Sequence, residues 1–213
     1  LGSLGPIFKD KITSTPIKSV IDYESNLDYS GNDLVPEIFS AILNKVVLSF
    51  DYQPFSGSKS KVICHPYFLK QYNGRWYVFG RHEQRNNDQW HFPLERIENL
   101  SLCHQLKYKP DTTEDWKDFF YDIVGVTRFD DDVEKVILHV NQEMAPYIQT
   151  KPLHPTQKFR KINEQTYEVE IKVIPNLELS ALLLSFGKNL VVKEPLRLKE
   201  KMIALIREMN SNY

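Results

Sequence analysis

Between His65 and Leu100 the chain reads HPYFLKQYNGRWYVFGRHEQRNNDQWHFPLERIENL, and it sets cationic side chains among rings as a surface for a flat or anionic molecule would. Eight residues from Tyr67 to Phe92 are aromatic: Tyr67, Phe68, Tyr72, Trp76, Tyr77, Phe79, Trp90 and Phe92. Among them stand Arg75, Arg81, Arg96, His65, His82 and His91. Arginine offers a planar fork for phosphate or carboxylate, and tyrosine a stacking plane with a hydroxyl. Residues at even spacing share a face of a strand. Tyr77 therefore goes with Arg81 on one face and Trp76 with Val78 on the core face. His65 with Tyr67, and Phe92 with Leu94 and Arg96, form similar sets. The blander alternative is that Arg96 pairs with Glu95, Glu98 or a C-terminal acid and that His65 is a satisfied structural histidine, since exposed arginines commonly solvate or pair weakly.

Enzyme chemistry has less to build on. There is no Walker loop, no Gly-rich dinucleotide turn and no Gly-x-Ser-x-Gly elbow. Cys64 and His65 are neighbours, so a strand points them to opposite faces and they make no nucleophile pair. His82 and His91 flank one hairpin and could meet, but no cysteine or carboxylate stands at zinc-ligand spacing. Asp130-Asp131-Asp132 reads as a solvated loop before a strand. No catalytic residue, metal or cofactor is expected.

The elements that would position these groups follow from periodicity. Asn32-Asp33 opens a helix carrying Leu34, Ile38 and Ile42, with Pro36 in its first turn. Val46 to Tyr52 is a strand, and strands follow over 61–72, 75–82, 89–96 and 97–105, with Asn73-Gly74 as a two-residue hairpin turn. Five short strands after a helix point to a small barrel over 31–108. Residues 1–30 read as a linker segment, with Ile17–Tyr23 a short strand or part of that linker. A connector over 109–130 holds a short helix, Asp111 to Phe120. From 131 to 213 the order changes: strand Val133–Asn141, helix Gln142–Gln149, a hairpin of Lys158–Ile162 and Tyr167–Ile174, a helix capped by Asn176 and ended by Gly187, strand Leu190–Lys193, and a last helix from Pro195 with Leu198, Met202, Leu205 and Met209 on one stripe. That βαββαβ order is ferredoxin-like, which makes the fold class α+β.

With 41% hydrophobic and 26% charged residues and a formal net charge of −1, the chain is an ordinary globular sequence with no whole-molecule field for nucleic acid. Any anion site is then a local patch. Between Lys61 and His104 six Lys/Arg stand against four acids. Cys64 and Cys103 are expected as reduced thiols of a cytoplasmic protein. No run approaches the length of a membrane span.

The pattern His65-Pro66, a strand, Asn73-Gly-Arg-Trp-Tyr-Val78, then Phe92-Pro-Leu-Glu-Arg-Ile97 resembles the WYL domain. Phe119-Phe-Tyr-Asp-Ile-Val-Gly-Val-Thr127 and Thr150-Lys-Pro-Leu-His154 look like further landmarks of that family. Two departures are Val78 in place of the leucine of the family's name, and Glu95 beside Arg96, which argues against a strongly anion-selective groove. The resemblance implies an Sm-like, SH3-type five-stranded barrel followed by a ferredoxin-like extension, in the ligand-sensing region of a bacterial transcription regulator. It also implies a homodimer. The missing initiator Met at Leu1 fits a fragment whose helix-turn-helix, the part that meets DNA, lies upstream. The family's groove maps onto Tyr52, His65, Tyr77, Arg81 and Arg96. With Tyr67 and His82 beside them, these form the expected site for a nucleotide, single-stranded nucleic acid or small anionic effector. If a His65 imidazolium touched that ligand, affinity would decline as pH rose through the region near ~6.5. A direct single-strand-binding module and a dimerisation scaffold are the alternative readings.

Overall fold

The computed structural model of the chain describes residues 31–213 apart from Glu114; the expected linker at 1–30, with its possible strand at Ile17–Tyr23, lies outside the described residues. A 3-10 turn, Asn32–Leu34, leads into helix α1, Val35–Leu43, with a proline in its first turn. Five strands follow: β1 Val47–Tyr52, β2 Ser60–Tyr72, β3 Arg75–His82, β4 Asn87–Pro93 and β5 Ile97–Cys103. They pair antiparallel in the order β4-β3-β2-β1-β5. The β2–β3 hairpin closes as the dipeptide Asn73-Gly74 requires, with both residues at positive φ, 47° and 76°. The inner face of this sheet packs Leu48, Phe50, Val62, Cys64, Val78 and Phe92 against Ile38 and Ala41 of α1. Cys64 is buried here and both cysteines are free thiols.

One expected strand ends early. The chain leaves β4 at Pro93 and passes through a 3-10 turn, Leu94–Arg96, before β5. The backbone rotates at this corner, so Arg96 does not share the face of Phe92 as strand alternation over 89–96 required. Leu94 goes into the core and Arg96 stays half-buried at the corner.

A short helix, α2, Trp116–Tyr121, capped by the Asp115 side chain, lies in the connector. Beyond it come β6 Glu134–Asn141, α3 Ala145–Thr150, β7 Lys158–Lys161, β8 Thr166–Val173, α4 Leu177–Ser185, β9 Leu190–Glu194 and α5 Leu196–Ser211. These four strands form a second antiparallel sheet in the order β7-β8-β6-β9. One face is apolar, with Val136, Leu138, Val140, Val169, Ile171 and Val173 packed under Leu179, Leu183, Leu198 and Met202. Asn176 caps α4 by accepting from the Leu179 N–H at 2.8 Å. Gly187 follows the C-cap at φ 54°, the left-handed conformation that favours glycine. Met209 was expected on the buried stripe of α5 but is exposed, along the part of the helix that runs past the core.

The outer face of the first sheet is also largely covered. Tyr67, Tyr77 and Phe79 form a third cluster with Trp116, Phe119 and Val126. Trp116 stacks on Phe68 at 5.4 Å, and Phe120 meets Phe79 edge-on at 5.0 Å. The connector is thus the lid of a second core, and most of the rings that made 65–100 look like a binding surface serve packing.

Candidate functional site

The seven expected site residues fall into three places. His65, Tyr67 and Arg81 belong to a clasp between the first sheet and the connector. His65 is 3% exposed. Its Nδ1 accepts from the Lys109 N–H at 3.0 Å, and its Nε2 faces Glu83 at 3.3 Å. Tyr67 donates toward the carbonyls of Lys109 and Pro110, both at 3.2 Å, and burial pushes its phenol pKa up. Tyr108 donates back to the Pro66 carbonyl at 2.7 Å. Arg81 donates to Glu83 at 3.2 Å and also bonds Asp88 and Asn86. Lys109 Nζ reaches the other oxygen of Glu83 at 2.5 Å. Held by the Lys109 and Arg81 donors, the Glu83 carboxyl titrates at about 2. Every charged group in the clasp has an opposite partner, so it holds the connector down. A ligand-bound His65 imidazolium does not fit this geometry: Nδ1 is an acceptor for a backbone N–H, and burial lowers the pKa of the ring.

His82 is on the inner face. Its ring is buried against Trp90 and Phe92, at 5.5 and 5.4 Å. The bulge after Gly80 in the β3–β4 pairing sets it opposite Asn87, whereas His91 pairs with Phe79, so the two histidines do not meet.

Tyr52, Tyr77 and Arg96 do come together. They line one cleft of about 450 Å³ with Gln89, Trp90, His91, Val126, Thr127, Arg128 and Glu178. A smaller cleft of about 280 Å³ shares Asn87, Gln89, His91, Val126 and Arg128, so the two run on from each other between β4 and the end of the connector. The far wall is built by helix α4. Glu178 accepts from the Val126 and Thr127 N–H groups at 3.3 and 3.0 Å, and Asn176 donates to the carbonyls of Val124 and Thr127 at 2.7 and 2.8 Å. Gly125, at φ +85°, lies so close that a Cβ would stand 2.6 Å from Glu178 Cγ, which only glycine avoids.

Arg96 is electrostatically apart from the other arginines of the cleft and clasp. Arg128 is tied to Asp122 at 3.1 Å and to the Phe119 carbonyl at 2.7 Å. The two acids nearest Arg96 in sequence are taken by other cations: Glu95 by Arg75 at 3.0 Å and Glu98 by Lys59 at 2.5 Å. Among the described residues Arg96 has no carboxylate within ion-pair distance, and its Nε is buried without a hydrogen-bond partner. The guanidinium lies 3.3 Å over the Phe55 ring, and its charge beside the Tyr52 hydroxyl offsets part of the rise that burial causes in that phenol's pKa. Tyr52 in turn packs edge-on against Phe92 at 5.2 Å. The cleft therefore combines a planar cation that has no ion-pair partner among the described residues with the Glu178 carboxylate and with tyrosine and tryptophan walls, which suits a polar or anionic molecule with a flat part.

Sequence reasoning missed His91, Gln89, Arg128 and Glu178. Alternation with Trp90 and Phe92 already put Gln89 and His91 on the outer face, and Arg128 directly follows the Val126-Thr127 pair. Nothing local in the sequence brought Glu178 to this cleft.

Residues 33–102 match the WYL domain and residues 132–209 the WCX domain. An HTH-type transcriptional regulator of Bacillus subtilis (strain 168), YobV, is 26% identical over 183 residues; the match takes in 83% of this chain and 55% of that protein. The chain thus spans about half the length of that relative. A crystal structure of a CRISPR Cas-related protein shares the fold at TM-score 0.52 and 15% identity, over 85% of this chain and 52% of that one. Proteasome accessory factor B/C of Arthrobacter aurescens aligns at TM-score 0.40 and 17% identity, over 82% of this chain and 26% of that one. The chain is thus a WYL-domain protein, with a WYL domain followed by a WCX domain, and it is similar to a protein named as an HTH-type transcriptional regulator.

Proposed function

We propose that the chain is the effector-sensing region of a bacterial, cytoplasmic transcription regulator, a binding module and not an enzyme, and that it takes a nucleotide, oligonucleotide or other anionic effector in the cleft at Arg96. In this reading 31–108 is an Sm-like barrel domain, 109–130 a connector and 131–213 a ferredoxin-like domain. DNA is met by a helix-turn-helix elsewhere in the protein, as the name of the Bacillus subtilis relative suggests. The observation that carries the reading is Arg96: a half-buried guanidinium without a carboxylate partner among the described residues, lining a cleft whose walls come from the first sheet, the connector and the start of α4. A ligand spanning that cleft would touch the barrel and the N-terminus of α4 together, which is the contact a sensor needs to move one part against another.

The test is binding of nucleotides and short single strands by titration calorimetry to the chain and to two variants. Arg96→Ala should weaken binding about ten- to hundredfold, the loss of a charge-assisted contact, with little change in melting temperature. Arg81→Ala should do the reverse, lowering the melting temperature by opening the clasp and leaving affinity per folded molecule unchanged. Equal binding by the Arg96 variant would remove the assignment. Direct grip of a long single strand is the second reading. It would give a salt slope near ~0.7 log unit of affinity for each neutralised phosphate, whereas a small effector gives a shallow one.

A homodimer belongs to the same proposal. Leu196, Ile203, Ile206 and Met209 on α5 and Val191 on the edge strand β9 are all exposed, and an apolar strip on a regulator suits a two-fold contact.

A further inference from the structure

We infer that the effector carries an aromatic base as well as a phosphate, and that Phe55 is the residue that stacks on it; this rests on the Arg96 cleft being the sensing site. Phe55 is 81% exposed, the most exposed of the phenylalanines Phe39, Phe55 and Phe129 that reach solvent. An exposed large ring on a loose loop would mean little, but this loop is braced. Gln53 donates its side-chain N–H to the carbonyls of Pro54 and Gly57 at 3.0 and 3.1 Å, and its backbone N–H to the Arg96 carbonyl at 3.2 Å. The same short turn thus carries the ring and ties it to the residue whose guanidinium lies against it.

Stacking also sets what each partner has left to offer. With the Arg96 guanidinium 3.3 Å from its ring centre, Phe55 is still 81% exposed, so most of the ring remains open to solvent. A guanidinium lying flat on a ring keeps its N–H groups pointing sideways in its own plane, and these are the groups that bond phosphate or carboxylate in a fork. The pair therefore presents a donor edge for an anion and an open ring for a flat group, side by side. A simple inorganic anion would use half of this arrangement. A nucleoside phosphate, free or as part of a single strand, uses both. Base-on-ring stacking tolerates any base, so the pair confers selectivity for nucleotide chemistry without selectivity for sequence.

The experiment compares the 213-residue chain with Phe55→Ala, Phe55→Trp and Arg96→Ala. The probes are a short oligothymidylate, the four nucleoside monophosphates, and ribose 5-phosphate as a phosphate without a base. Phe55→Ala should weaken the base-bearing probes by about tenfold or more, equivalent to about 1.4 kcal/mol. Phe55→Trp should keep or improve affinity, with quenching of the new tryptophan on binding. Any binding of ribose 5-phosphate should be untouched by Phe55→Ala and reduced by Arg96→Ala. Tight binding of the oligothymidylate alone identifies a strand as the source, and of a monophosphate alone a free nucleotide; either supports the proposal. If Phe55→Ala binds every probe like the parent while Arg96→Ala loses them, the stacking role is wrong and the cleft assignment stands. If neither variant changes binding, or no base-bearing probe binds, both are wrong.

Discussion

Arg81 and Arg96 carry the same charge fifteen residues apart, yet the company each keeps decides what it can do. Arg81 is surrounded by Glu83, Asp88 and Asn86, so a ligand anion would have to displace carboxylates already in place. Arg96 has lost both neighbouring acids to Arg75 and Lys59. The histidines tell a similar story about burial. His65, His82, His91, His139 and His154 are all held below the ordinary imidazole pKa, with desolvation the largest cause in each. At His65, Glu83 pulls upward while Lys109 and Arg81 push down. A folded pKa below the unfolded one means that the unfolded chain binds more protons. The stability these sites contribute is therefore complete above ~6.5 and drains away as pH falls below it. Glu83 adds a second loss, starting near ~4.3 and running down through its own folded value of about 2. Thermal melts from pH 8 to 5 should show the melting temperature falling once pH drops below about 6.5. In His65→Gln, whose amide oxygen can still accept from Lys109, the fall should be shallower. A melting temperature flat across that range would contradict the burial argument.

At the scale of elements, the connector and the start of α4 do more than join two sheets. Residues 122–128 are held to α4 by Asn176 and Glu178 and by the Ile174 N–H, which donates to the Asp122 carbonyl at 2.7 Å. This stapling ties the far wall of the cleft to the start of α4. Asn176 is fully buried and satisfies three backbone groups at once: the Leu179 N–H and the carbonyls of Val124 and Thr127. Asn176→Ala removes a helix cap and leaves buried carbonyls unpaired, which should cost about 2–4 kcal/mol. Asn176→Asp keeps the cap and loses the two donors, so it should fall between. Denaturant titration measures both, and an alanine variant within error of the parent would show that the loop is not anchored there.

For the whole molecule, the two sheets have separate cores, and a third, aromatic core packs the connector onto the first sheet. The apolar strip of Leu196, Ile203, Ile206, Met209 and Val191 is surface that none of the described residues covers. Sedimentation at tens of micromolar should find twice the chain mass of 25.0 kDa. Ile206→Glu, which puts a charge in the strip, should return the monomer. A parent protein that sediments as a monomer at that concentration would count against assembly through this chain.

Much of the architecture was legible because its signals are local. Positive φ at Asn73-Gly74, side-chain alternation in β3 and β6, the Asn176 cap and the glycine after α4 are each decided by sterics or hydrogen bonds within a few residues. They were enough to give two successive antiparallel sheets and the β-α-β-β-α-β order of the second. Pro93 and the corner after it mark where that locality fails: alternation ran on through Arg96, while the backbone turned. The candidate site was legible in part, as Tyr52, Tyr77 and Arg96, since their types and faces suggested it. Which rings were open and which arginine was left without an ion pair depended on distant partners. Tyr67 and Phe79 alternate outward just as exposed residues would, and only the arrival of Tyr108, Trp116 and Phe119 made them core. Opposite charges pair by proximity in space, so the fates of Glu83, Glu95 and Glu98, and with them the freedom of Arg96, were decided by the tertiary structure.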